Sequence, residues 1–269
     1  MDRHAARELL VHCFEQGLAA VDPEQAVAAN LRNYPDDERI VVFAIGKAAP
    51  AMARGAAQAL GRSELEGIAV SNHVDAIPSG MEMIMSAHPL PDERSVEAGN
   101  ALLRLAASLT AADRAVVLIS GGGSALVEVP IEGVSLEDLT RTNEALLRSG
   151  GDIGQINMIR RRLSLFKGGG LARAIAPAVV ETLAISDVIG DDPATIASGP
   201  TVVGANDPGA AWDIVRTLGL EHSVPAPVRD ALLTPPQPQT EPAVGRFSIV
   251  AGGSVAAHAA AAAAERRGF

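Results

Sequence analysis

Positive charge in this chain of 269 residues comes from twenty arginines and only two lysines, and both lysines stand beside glycine. Lys47 lies in AIGKAA (44–49) and Lys167 in FKGGG (166–170). Where every other cation is a guanidinium, a retained ammonium suits a position that needs a compact charge. Gly46 permits a tight turn, and Lys47 at the start of a helix would meet a phosphate or carboxylate. A second segment, SGGGSA (120–125), strings Gly121, Gly122 and Gly123 between Ser120 and Ser124. Such a loop offers backbone N–H donors that can wrap an anion. In a third, Asn157, Arg160, Arg161 and Ser164 recur at helical spacing opposite Ile156, Ile159, Leu163 and Phe166. That places cations on one stripe, continued by Lys167 and Gly168, and apolar residues on the other. The fourth is SDVIGDDPATIASGP (186–200), where Asp187, Asp191 and Asp192 follow a strand end. Carboxylates there hold magnesium through phosphate oxygens or accept a hydroxyl proton, and Asp187 is nearest the strand.

Each segment also has a plainer explanation. The two lysines can fall beside glycine by chance in a chain with 26 glycines, the arginines can form a solvated helix face, and Asp beside Gly190 and Pro193 is turn chemistry. Ser198, Gly199 and Pro200 make one further turn at the cleft. His88, in AHPLPDE, is the one histidine in a tight turn, with no chemistry expected of it.

Several familiar motifs are excluded by spacing. AIGKAA is not a Walker A loop, since the upstream glycine is missing and Ala48 replaces the hydroxyl that would hold magnesium. SGGGSA fails the nucleophile elbow because Leu126 stands where the last glycine belongs. No G-x-G-x-x-G is present, and no acidic residue ends a second strand, which argues against dinucleotide binding.

These segments must be positioned by the elements around them. The runs IVVFAI (40–45), AVVLIS (115–120) and VVETLAIS (179–186) read as buried strands, with shorter candidates at 67–72 and 81–87. Helical patterns follow at 47–60, 94–109, 135–149, 153–166 and 170–176, and residues 2–20 form an amphipathic helix over Ala6, Leu9, Leu10, Cys13, Phe14 and Leu18. The alternation predicts an α/β fold: a Rossmann-like parallel sheet with helices on both faces. Six of the 17 prolines crowd into 224–242. The predicted organisation is therefore a domain over 1–223, a Pro-rich linker or loop at 224–246, and a strand-helix start of a further segment at 247–269. That last unit cannot bury a core by itself, so it either completes the sheet or opens a second α/β domain that is truncated or absent.

Composition narrows the class. A formal charge of −10 argues against nucleic acid and anionic membranes as partners. One cysteine, Cys13, excludes an internal disulfide. The longest apolar runs fall far short of a membrane span, and MDRHAARELL has no signal-peptide core, so a cytoplasmic location is expected.

Taken in order, IGKAAPAM, HPLPDE, SGGGSALVEVP, INMIRRRLSLFKGGGLA and SDVIGDDPATIASGP resemble the glycerate kinases that phosphorylate the 2-hydroxyl, the family with a C-terminal MOFRL domain whose members are often labelled hydroxypyruvate reductase. The resemblance covers about 38–204. It implies a phosphotransferase that uses ATP and Mg2+ to convert D-glycerate to 2-phosphoglycerate, on a Rossmann-like N-terminal domain whose cleft faces the second. It places the family's lysine on Lys47, its glycine loop on 120–125, its asparagine and basic residues on Asn157, Arg160 and Arg161, and its aspartate on Asp187. Arg162 departs from the family, which usually has histidine there. A non-catalytic nucleotide or sugar-acid binding fragment, and an NAD(P)H-dependent hydroxypyruvate reductase, are the alternatives, and a homodimer is among the assemblies this reading admits.

Overall fold

Residues 3–204, 209–235, 242 and 244–269 are described by the computed structural model, and strand alternates with helix through much of them. In chain order the elements are α1 (Arg3–Ala19), α2 (Pro23–Asn30), β1 (Ile40–Ile45), α3 (Ala49–Leu60), β2 (Glu64–Ser71), β3 (Ser79–Met85), α4 (Glu93–Ala106), β4 (Arg114–Ile119), α5 (Gly123–Leu126), α6 (Leu136–Arg148), α7 (Ile153–Arg162), α8 (Gly170–Ile175), β5 (Val179–Ser186), α9 (Ala210–Thr217), α10 (Ala226–Leu233), β6 (Val244–Gly252) and α11 (Gly253–Glu265). A 3-10 turn, Ile196–Ser198, follows β5.

The six strands form one sheet in the order β3-β2-β1-β4-β5-β6, and every neighbouring pair is parallel. A parallel sheet covered on both faces needs strands that are apolar throughout, and β1 is buried at all six positions. Val41, Phe43 and Ile45 pack with Leu102 of α4, Leu126 of α5 and Leu171 of α8. Val42 and Ala44 turn the other way, onto Val27 of α2 and Met52 and Ala53 of α3. The predicted Rossmann-like sheet is therefore what the chain forms. Strand order reverses between β1 and β4, and their following helices cover opposite faces. The two loops part there and leave a crevice at the carboxyl ends of the strands.

A third cluster is built without the sheet. Leu139 and Leu146 of α6, Ile156 and Ile159 of α7, Val215 of α9, and Val228 and Leu232 of α10 pack together as a helical layer beside the crevice. One of its helices, α10, lies in the stretch that the sequence reading treats as linker or loop, and α9 lies where that reading assigns no element. Within the Pro-rich 224–246, residues 226–233 are helical: Pro225 precedes the first turn and Pro227 lies inside it, where no N–H is missed and a fixed φ suits the helix. Residues 236–241 and 243 of that segment lie outside the described residues. Beyond it, β6 pairs with β5 as the sixth strand, so 247–252 extends the sheet already built.

The first helix departs from its predicted burial. Leu10 is 69% exposed, Phe14 64% and Leu18 54%, and Cys13 is half-buried. Instead α1 buries Gly17 against α11, where an added Cβ would stand 2.9 Å from the carbonyl oxygen of Ala256. No described helix is long and apolar enough to cross a membrane.

Candidate active site

The loops after β1 and β4 are stitched together at the crevice. Ser120 N–H donates to Ile45 O (2.9 Å), Lys47 N–H to Gly121 O (2.9 Å), and Ala48 N–H to Ser120 Oγ (3.0 Å). Gly46 makes the approach possible: its φ is 125°, and a Cβ would overlap Ser120 Oγ. Ser120 is thus buried mortar between the loops rather than a cleft group, and Gly46 is their point of contact. Lys47 emerges exposed, and its side chain forms no ion pair among the described residues. Its Cε runs along Gly122, 3.3 Å from where a Cβ would be.

A cleft of about 390 Å³ opens beside this junction. Gly121, Gly122, Gly123 and Ser124 form part of its wall, and none of their four backbone N–H groups donates a hydrogen bond within the described residues. Three other turns close on the same loop. A Cβ at Gly121 would overlap the Asp187 carboxylate, one at Gly122 would lie 3.0 Å from His88 Cδ2, and one at Gly123 would lie 2.8 Å from Ala197 Cβ. Glycines are needed here because four turns meet. Burial, and then the charge of Lys47, hold the His88 imidazole below its ordinary value.

The opposite wall comes from α6, α7 and the FKGGG turn. The sequence reading runs α7 to 166 and lets Lys167 continue its cationic stripe, but the helix ends at Arg162. Non-local pairing ends it: Ile131 N–H donates to Leu163 O (3.1 Å) and Leu165 N–H to Val129 O (2.8 Å), while Ser164 Oγ accepts from Phe166 and Lys167 N–H. The stripe disperses as a result. Asn157 is buried at the cleft and Arg160 lines it, its Nε donating to Asn143 Oδ1 (2.8 Å). Lys167 is buried at the cleft floor in an ion pair with Glu128. Arg161 leaves the cleft to donate to Ala194 O, and Arg162 donates to Thr234 O just past α10. Burial lowers all three guanidinium pKa values, opposed at Arg160 by Glu128 and at Arg161 by Asp192. Gly168 serves the backbone: its φ is 56° and its N–H donates to Ser198 O (3.0 Å).

Asp187 stands exposed at the cleft, but Asp191 does not line it. It has φ 53°, and its Oδ1 lies 3.6 Å from where a Cβ on Gly252 would be, on the β6 side. Asp192 is turn chemistry, accepting from Ala194 N–H and Thr195 Oγ1. No group of three His, Cys, Asp or Glu residues poised for a metal occurs among the described residues. Magnesium prefers one or two carboxylates completed by phosphate oxygens and water. Asp187 therefore fits an ion that arrives with a phosphorylated ligand, not a preformed cage.

His88 and Asn143, to which the sequence reading gives no role, also line the cleft. His88 was expected to be inert, and HPLPDE was its only signal. Glu128 and Asn143 complete the wall's cations from distant positions. Ser198, fully buried, has φ 61° between Ala197 at φ 50° and Gly199 at φ 64°. Non-glycine residues at such angles cost on the order of 1 kcal/mol or more each and cluster at functional sites.

Residues 9–233 match the family described as "Domain of unknown function (DUF4147)". The chain is 40% identical over 262 residues to a putative hydroxypyruvate reductase of Agrobacterium vitis, covering 97% of this chain and 59% of that protein. It is 36% identical over 224 residues to a D-glycerate 2-kinase of Thermotoga maritima, covering 82% and 54%. The crystal structure of a glycerate kinase from Thermotoga maritima superposes with a TM-score of 0.84 at 31% identity, over 99% of this chain and 64% of that one. The chain thus spans between half and two thirds of each of these proteins. With a family match along most of its length and the fold of a glycerate kinase beneath it, the chain belongs to the glycerate kinase family.

Proposed function

We propose that this protein transfers the γ-phosphoryl group of ATP to the 2-hydroxyl of D-glycerate, giving 2-phosphoglycerate and ADP. One observation carries the reading: an unpaired Lys47, four free backbone N–H groups and the Asp187 carboxylate meet at the switch point of a parallel sheet. Phosphoryl transfer asks for in-line placement and positive charge around the moving group more than for covalent help. The Gly121–Ser124 N–H groups hold phosphate oxygens, and Lys47 balances the charge that develops on them. The substrate 2-hydroxyl oxygen forms its bond to the γ-phosphorus as the bond to the ADP oxygen breaks, and Asp187 accepts the hydroxyl proton. Asp187 would also hold Mg2+, which would neutralise the nucleotide's phosphates when bound. Arg160 and Lys167 shape the opposite wall.

The names of the Thermotoga maritima relatives support the substrate and the reaction class. Incubation of the purified protein with ATP, Mg2+ and D-glycerate tests them: 2-phosphoglycerate is expected, and binding of both ligands without turnover would leave a nucleotide and hydroxy-acid binding protein. The Agrobacterium vitis relative's name points instead to a reductase. Against that stand the single glycine of the β1 turn and Ser71 and Asn72, not an acid, at the end of β2. No oxidation of NADH or NADPH by hydroxypyruvate is expected.

A further inference from the structure

Beneath the glycine loop, a chain of three side chains has its hydrogen-bond direction fixed by proton count. Ser198 Oγ donates to Asn157 Oδ1 (3.1 Å), and Ser124 Oγ lies 2.8 Å from Ser198 Oγ. A hydroxyl owns one proton. Since Ser198 has given its proton to Asn157, the second contact must be Ser124 donating to Ser198. Ser124, at the cleft wall, then turns its proton inward and presents only lone pairs to a ligand. At the other end, Asn157 is 2% exposed and also at the cleft wall. Its Oδ1 is occupied, and its amide NH2 donates to nothing among the described residues, so it meets a ligand as a donor.

The geometry points to Ser198 as a positioning residue that locks Ser124 as acceptor and Asn157 as donor, the complement of a hydroxyl and a carboxylate on one small molecule. The inference rests on the glycerate reading and deepens it. A freely rotating Ser124 would add another donor for phosphate, whereas the locked one repels phosphate oxygens. Phosphate therefore belongs on the glycine N–H groups and the hydroxy acid at the 124–157 pair. Transfer commits the 2-hydroxyl to Asp187, so the hydroxyl that Ser124 accepts is the 3-hydroxyl. The backbone supports the assignment: Ser198 sits at φ 61°, where glycine would be unstrained, and its turn is held by Gly168 N–H to Ser198 O (3.0 Å) and Gly169 N–H to Gly199 O (2.8 Å). The strained position is occupied by a residue whose hydroxyl makes both side-chain bonds of the relay.

The test compares calorimetric affinities for D-glycerate and D-lactate, which lacks the 3-hydroxyl, on the wild-type protein, Ser198→Gly and Ser198→Ala. Wild type should prefer glycerate by about tenfold, the worth of one hydrogen bond to a shielded acceptor. Ser198→Gly removes the relay while suiting the backbone, so it should fold, with the preference below about threefold and affinity for a non-hydrolysable ATP analogue within about twofold of wild type. Ser198→Ala should lose the same preference. A wild-type-like preference in Ser198→Gly overturns the relay, as does a glycerate affinity that holds while the analogue's falls tenfold. If wild type binds the acids but makes no phosphoglycerate, the kinase reading fails while the glycerate-to-lactate ratio still decides the relay. Binding of neither acid overturns both.

Discussion

The two walls of the cleft treat charge in opposite ways. On the sheet rim, Lys47 is exposed without an ion-pair partner and the N–H groups from Gly121 to Ser124 donate to nothing described. On the helical wall, both cleft cations are already engaged, Lys167 by Glu128 and Arg160 by Asn143, and the neighbouring Arg161 and Arg162 turn away from the cleft to Ala194 O and Thr234 O. A cation satisfied within the fold contributes to shape, while one left open in an acidic protein holds its attraction for a ligand. The rim should therefore govern activity and the wall stability, although both walls carry lysine beside glycine.

The wall offers the largest effect. Glu128→Ala leaves the Lys167 ammonium buried and unpaired, a loss of about 3–5 kcal/mol, on the order of 10 °C in Tm for a chain of this size. Combining Glu128→Leu with Lys167→Met removes both charges and should recover most of that stability. The double variant also attacks the comparison directly: phosphoglycerate formation within about tenfold of wild type supports a shaping role for the wall. Abolished turnover in a protein of normal Tm would make Lys167 a partner of the substrate instead.

At the rim, Lys47→Ala removes one preorganised charge from the transferring group, costing about 2.7–4 kcal/mol in the barrier, a fall of about 100-fold or more in kcat/KM. Because Lys47 bonds nothing in the fold through its ammonium, Tm should stay within about 2 °C. A loss under threefold would return Lys47 to the exposed surface charge that its burial alone suggests.

The rim was largely legible in the sequence and the wall was not. IVVFAI and AVVLIS announce buried strands because the central strands of a covered parallel sheet read as continuous apolar runs. Glycine followed by lysine after one, and GGG after the other, fall where loops must leave such strands. These are local facts. The end of α7 is not, because the helical period continues through Phe166 while pairing with residues 129–131 stops the helix at Arg162. Lys167 finds Glu128 across 39 positions of chain, and no spacing rule reaches that far. Pro225 and Pro227 read as loop although their φ values suit a helix start, and Ser198 occupies a φ that its residue type disfavours.

A smaller effect separates the arginines within the wall. Arg161→Met removes the bond to Ala194 O that ties α7 to the 187–200 segment, at about 1 kcal/mol. The guanidinium Nε is buried without a partner, which offsets part of its contribution. Thermal unfolding should detect the loss, with KM for glycerate within about threefold of wild type. A KM rise of tenfold or more would show that the 187–200 segment, through Asp187, depends on the wall for its position.

The smallest predicted effect links the rim to pH. His88 is held below its ordinary value by burial and by Lys47. Above the ordinary histidine range, near pH 6.5, the ring is neutral in both folded and unfolded chains and contributes nothing to stability. As pH falls, the unfolded chain takes up a proton that the folded cleft resists, and stability is lost until the folded ring also titrates. An anion on the glycine N–H groups would oppose the field of Lys47 and ease that protonation. Inorganic sulfate, doubly charged at both pH values, should therefore raise Tm more at pH 5.5 than at pH 8, and His88→Gln should erase the difference. A sulfate effect that is the same at both pH values in the wild-type protein would place His88 outside the ligand's field, leaving Lys47 and the glycine N–H groups as the rim's whole response to negative charge.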